Sequence, residues 1–211
     1  MVFFVCLMTL SASALIPLQP APSETEREND TYTIYSLLMS NPRTSHGPDN
    51  NPRYLIAETT SLGILPEPPC VRPPKEREEE FKEVIADFTN RKATPRILKR
   101  QLSISKPYQL LTAEQTNTLK NCHGSFPKRT CETPHALFDG VDDLFTLSDV
   151  YFSKSGRLAL TAVSTWCGDL CAQYEWKVLE KLPDGEWKER PWVVCFAISE
   201  QSQRILARAA P

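Results

Sequence analysis

Across residues 75–91 the apolar side chains Phe81, Val84, Ile85 and Phe88 recur at the spacing of a single stripe on an otherwise charged helix. Pro74 fixes φ where that run starts, and Pro95 stops it. Acidic residues from Glu76 to Glu80 fill the first turns and Arg91 and Lys92 the last, which suits the helix dipole. A shorter helix is predicted over 32–39, with Ile34, Leu37 and Leu38 on one side and Asn41-Pro42 as its stop. Thr112-Ala113-Glu114-Gln115 has the form of a capping box and predicts a third helix running to residue 121. Between them, 54–62 is β-branched and weakly alternating, as in a strand.

From Phe145 the period changes to two. Residues 147–152 and 157–164 read as strands joined at Ser153-Lys154-Ser155-Gly156. Residues 174–181 and 186–198 read as a second pair across Pro183-Asp184-Gly185. Leu158, Leu160 and Ala162 share one face; Tyr174, Trp176, Val178 and Glu180 oppose Glu175, Lys177 and Leu179. The expected fold is α+β, with N-terminal helices covering one face of a C-terminal antiparallel β-meander. One domain is expected over 31–200, after a flexible lead-in at 15–30 and before a tail at 201–211.

Composition adds compartment more than chemistry. Eighteen prolines cluster towards Pro17 to Pro74 and predict long irregular connections there. Twenty-four basic residues stand against 26 acidic ones, so no strongly basic face is implied and nucleic acid is not the expected partner. Residues 2–16 are almost wholly apolar or small, and Ala12-Ser13-Ala14 has the small-x-small form of a signal peptidase site. That run is shorter than the roughly 20 residues a membrane span needs. No Lys or Arg precedes Arg27, so the charged start of a typical leader is missing. A signal peptide over 1–14 is expected, with a secreted or periplasmic mature chain that has no membrane span.

Removing Cys6 with the leader leaves Cys70, Cys122, Cys131, Cys167, Cys171 and Cys195. An even number in an exported chain favours a disulfide framework. Locality pairs Cys122 with Cys131 and Cys167 with Cys171, and elimination leaves Cys70 with Cys195.

The run Leu147-Ser-Asp-Val-Tyr-Phe152, Leu158-Ala-Leu160, Cys167-Gly-Asp-Leu-Cys171, Lys177-Val-Leu-Glu-Lys181 and Asp184-Gly-Glu-Trp187 resembles a group of uncharacterised exported bacterial proteins. These share a strand, a C-G-x-L-C turn and a hairpin ending in D-G-x-W. Pro107-Tyr108-Gln-Leu-Leu-Thr112 fits the same group. Ala172 and Gln173 stand where the group often has glycine. The resemblance implies export and brings no known activity.

Candidate chemistry is sparse. Cys167 and Cys171 would form the redox pair of a thiol-disulfide oxidoreductase, but they lie between strands beside Asp169. The C-x3-C spacing is also one residue longer than the redox motif, which favours a structural bridge. Cys122, His123, Cys131 and His135 hold zinc-type donors without a C-x2-C knuckle, and a disulfide-closed loop is expected instead. Asp139, Asp142, Asp143 and Asp149 lack calcium-loop spacing and read as a solvated turn. Arg91, Lys92, Arg96, Lys99 and Arg100 form a basic cluster, expected to be a solvated linker. Trp176 and Trp187 read as cross-strand neighbours flanking a hairpin. No P-loop, G-x-G-x-x-G or G-x-S-x-G occurs. The expectation is a non-catalytic binding or structural protein with no catalytic residues, metal or cofactor, whose partner is an unknown protein or small ligand. The alternative is the oxidoreductase.

Overall fold

The computed structural model describes residues 21–40, 42, 52–61, 71–92, 94–123, 143–167, 172–192 and 196–198, with 122–123 and 196–198 by backbone alone. The first helix, α1 (Glu24–Ser40), is opened by a capping box at Ser23. Ser23 N–H and its hydroxyl donate to the Glu26 carboxylate at 2.7 and 2.8 Å, and Glu26 N–H donates back to Ser23 Oγ at 3.3 Å. Residues 24–30, expected as a flexible lead-in, are therefore helical. Thr31, Tyr32, Ile34, Tyr35, Ser36, Leu38 and Met39 are buried, whereas Leu37, expected on the apolar side, is exposed.

The expected long helix begins as a 3-10 turn (Lys75–Arg77) and continues as α2 (Glu78–Arg91), burying Phe81, Val84 and Phe88. The third helix, α3 (Ala113–His123), is opened by the expected box: Thr112 N–H donates to Gln115 Oε1 at 3.0 Å and Gln115 N–H to Thr112 Oγ1 at 3.2 Å. The strands are β1 (Tyr54–Ala57), β2 (Tyr108–Leu111), β3 (Leu144–Leu147), β4 (Tyr151–Phe152), β5 (Leu158–Trp166), β6 (Ala172–Lys181), β7 (Trp187–Arg190) and β8 (Phe196–Ile198). All join one sheet of order β2-β1-β3-β5-β6-β7, with β4 also on β5 and β8 also on β6.

The fold is α+β, but the sheet is mixed rather than wholly antiparallel. The expected meander β5-β6-β7 is antiparallel, while β1 runs parallel to both β2 and β3. Tyr54, Leu55, Ile56 and Ala57 are all buried. Such an unbroken apolar run is what a strand covered on both faces requires, and parallel pairing goes with that burial.

Alternation then sorts the core. Leu158, Leu160, Ala162, Trp176 and Val178 meet Phe81, Val84 and Phe88 of α2. Phe145, Leu147, Ala159 and Leu179 meet Tyr32, Ile34, Tyr35, Leu38 and Met39 of α1. Helices therefore cover both faces of the sheet, not one. Trp176 and Trp187 fall into these two separate cores, and Trp187 pairs with Lys181, so they are not cross-strand neighbours.

Two expected strands are broken. Leu147 pairs with Val163 but Tyr151 with Leu160, so 148–150 oppose only 161–162 and form a bulge. Ser148 repairs the ladder: its N–H donates to Ala162 O at 2.9 Å, and its hydroxyl oxygen accepts Ala162 N–H at 2.7 Å. Similarly β7 and β8 share the edge of β6 away from β5, and Pro191, which has no N–H to donate, stands just after β7.

Candidate ligand-binding cleft

The bulge carries Asp149 out of the sheet ladder, and three other segments converge on it. From α2 come Asp87 and Arg91, from α1 Arg27, Glu28 and Tyr32, and from the 94–99 segment Arg96, Ile97 and Lys99. That segment is strapped in place by backbone pairing. Thr59 bridges Ile97, Thr60 N–H donates to Arg96 O at 2.9 Å, and Leu98 N–H donates to Glu58 O at 2.7 Å. Arg96 N–H donates to Thr60 Oγ1 at 2.7 Å, and Lys99 N–H to Tyr32 Oη at 2.6 Å. Together they enclose a cleft of about 710 Å³, within the range of small-molecule sites. A smaller cavity of about 210 Å³, lined by Thr60, Ser61, Lys92 and Tyr151, also reaches Asp149.

The floor is an ion-pair network. Arg91 Nη1 donates to Asp149 Oδ2 at 2.6 Å; its Nε and Nη2 donate to the Asp87 carboxylate at 2.8 and 2.6 Å, and Nη2 also to Val150 O at 2.7 Å. Arg96 Nε lies 3.1 Å from Asp149 Oδ1, which also accepts Val150 N–H at 2.9 Å. Asp87 accepts Phe152 N–H at 2.8 Å, satisfying the free edge of β4. Burial works to raise the Asp87 pKa, but the Arg91 and Phe152 hydrogen bonds outweigh it and hold this carboxyl below the ordinary carboxylate value. Burial, helped by the Asp149 charge, pushes the Tyr151 hydroxyl up to about 12. Tyr35, whose Oη donates to Ser148 O at 2.7 Å, is raised well above its ordinary value by burial. Both phenols therefore stay protonated near neutral pH.

The rim is simpler. Lys99 Nζ pairs with Glu28 at 2.5 Å, and the Arg27 guanidinium stands 6.0 Å from the centre of the Phe152 ring. Ile97 is 71% exposed at the mouth.

The basic cluster thus divides. Arg91, Arg96 and Lys99 turn into the cleft as paired groups, not as a solvated linker; Arg100 instead lies over Tyr108. Asp149 and Asp143 are buried at 6% and 2% exposure, contrary to a solvated turn, while Asp139 and Asp142 lie outside the described residues. Trp166 packs beside Leu55, Leu111, Leu119 and Leu144, and Trp192 beside the α2 core. Arg27, Asp87 and Tyr32 were not marked by the sequence as site residues.

Of the cysteines, Cys167 follows β5 directly and is disulfide-bonded. The side chains of Cys70, Cys122, Cys131, Cys171 and Cys195 lie outside the described residues, as do those of His123 and His135, so the zinc-type cluster and the other bridges fall there too. Among the described residues no group of three or more His, Cys, Asp or Glu is placed to hold a metal ion. Among them, too, no helix is long and apolar enough to cross a membrane. Comparison with models of protein families, with curated proteins and with solved structures returns no match.

Proposed function

We propose that this chain is an exported, disulfide-braced protein that binds a ligand in the cleft between α1, α2 and the β3–β4 bulge and performs no chemistry on it. The observation carrying this proposal is the paired floor. Asp87 and Asp149 each accept from guanidinium groups, and Asp87 is held ionised below the usual range. A general base needs a pKa near the working pH, and Asp87 is tuned away from it. A ligand-sized cleft with a rigid, charged floor suits recognition.

Export would remove residues 1–14, including Cys6, and leave six cysteines in the mature chain. The register supports a brace at the β5–β6 hairpin. Trp166 at the end of β5 pairs with Ala172 at the start of β6, so the strand end next to Cys167 is held against its neighbour. With Cys167 disulfide-bonded, Cys171 is its favoured partner. Cys122–Cys131 and Cys70–Cys195 complete the proposed framework.

The redox behaviour of the Cys167 bridge tests the non-catalytic assignment. Equilibration of the native protein in dithiothreitol buffers, read by alkylation and mass spectrometry, is expected to give a potential below about −300 mV and no fast-reacting thiol. A potential in the oxidoreductase range, about −270 to −120 mV, with one rapidly alkylated thiol would overturn it.

A further inference from the structure

We propose that the ligand of this cleft is a small organic carboxylate with an apolar body, gripped by Arg27 and the outer edge of Arg96; this rests on the cleft being a binding site. The charge count comes first. Three guanidiniums, Arg27, Arg91 and Arg96, share the two carboxylates Asp87 and Asp149, although the whole lining, with Lys99, Glu28 and Glu24, carries four charges of each sign. The Lys99–Glu28 pair at the rim is neutral, and Glu24 is exposed at the edge.

Arg91 uses four of its five N–H donors, with Asp87, Asp149 and Val150 O accepting from it. Arg96 turns Nε to Asp149, and among the described residues neither of its Nη groups has a hydrogen-bond acceptor. Among the described residues the Arg27 guanidinium has no hydrogen-bond acceptor at all, although it is half-buried against the Phe152 ring. Two planar donor forks with open N–H groups match the two oxygens of a carboxylate.

Shape supplies the other half. Ile97 at the mouth and Pro95 and Val150 within the lining give the cleft an apolar side. Ile97 is one of two large apolar side chains left exposed among the described residues, and a ligand's apolar body lying on it would cover that surface.

Titration calorimetry of the full chain, disulfides intact, tests this with benzoate and its neutral analogue benzamide. Benzoate is expected to bind saturably and benzamide at least about tenfold more weakly, since a charge-assisted fork is lost. Arg27→Gln should weaken benzoate by a similar factor and leave benzamide unchanged, while Arg27→Lys, keeping charge without the fork, should fall between. Glu186→Gln, exposed in the β6–β7 turn away from the cleft, should leave both unchanged. Equal binding of benzoate and benzamide, or benzoate binding insensitive to R27Q in a folded variant, would overturn the carboxylate assignment while leaving the cleft a binding site. No saturable binding of either probe up to ~10 mM would overturn both.

Discussion

Replacing Asp149 by alanine removes the acceptor at the centre of the network. Its side chain is 7% exposed and takes Arg91 Nη1 at 2.6 Å, Arg96 Nε at 3.1 Å and Val150 N–H at 2.9 Å. Breaking a buried pair from one side costs about 3–5 kcal/mol, chiefly because the remaining charge stays unpaired. Here the cost falls below that range. Arg91 and Arg96 keep 32% and 36% side-chain exposure, and Arg91 retains Asp87 and Val150 O. Asp149→Ala is expected to destabilise by about 2–3 kcal/mol, lowering Tm by roughly 5–10 °C for a domain of this size. Asp149→Asn keeps an oxygen for Val150 N–H and should cost about 1–2 kcal/mol. Urea unfolding followed by tryptophan fluorescence is suited to the measurement, since Trp176 and Trp187 are buried in opposite cores. A loss below about 0.5 kcal/mol for Asp149→Ala, the value of a solvated surface pair, would mean that Asp149 is not the hub of a buried network.

Ser148→Ala deletes the hydroxyl that accepts Ala162 N–H in the bulge; a loss of about 1–3 kcal/mol and faster hydrogen exchange at Ala162 are expected. Gly156 holds φ +70°, and a Cβ there would stand 2.6 Å from Pro22 Cγ, so Gly156→Ala should destabilise by about 1–2 kcal/mol in the same urea assay. The folded pKa of Asp87 lies below its unfolded value, so its contribution is complete above the unfolded pKa and is lost as pH falls through the folded one. Urea midpoints measured from about pH 6 down to pH 2 should therefore drop less steeply for Asp87→Asn than for the parent chain.

Elements whose burial is one-sided were legible in the sequence. Phe81, Val84 and Phe88 face a single sheet surface, and the stripe shows it. In α1 the buried half is gripped from two directions, by the sheet and by Leu98 and Leu102 between α2 and β2, so apolar residues do not line up. Two of its buried polar residues, Thr31 and Ser36, are satisfied by donating to Arg27 O and Tyr32 O. The Ser23-Glu24-Thr25-Glu26 box did mark its start, but in a stretch otherwise polar enough to read as a lead-in. The bulge has no glycine to signal it; only the parity change between Leu147 and Phe152 on the same α1-facing core records the extra residue. The cleft was least legible. Arg91 and Asp149 stand 58 residues apart, and neither belongs to a local motif; only the basic cluster hinted at where cations gather. β1 was visible as a strand, but its parallel partners depend on contacts with β2 and β3 that no local pattern encodes.

Amide hydrogen exchange of the full, disulfide-intact chain with and without saturating benzoate reports where a ligand sits. Slowed exchange is expected in 27–32, 95–99 and 149–152, three of the four segments that wall the cleft, with the β6–β7 hairpin unchanged. Protection elsewhere in the molecule, with those three segments unaffected, would contradict binding in the cleft.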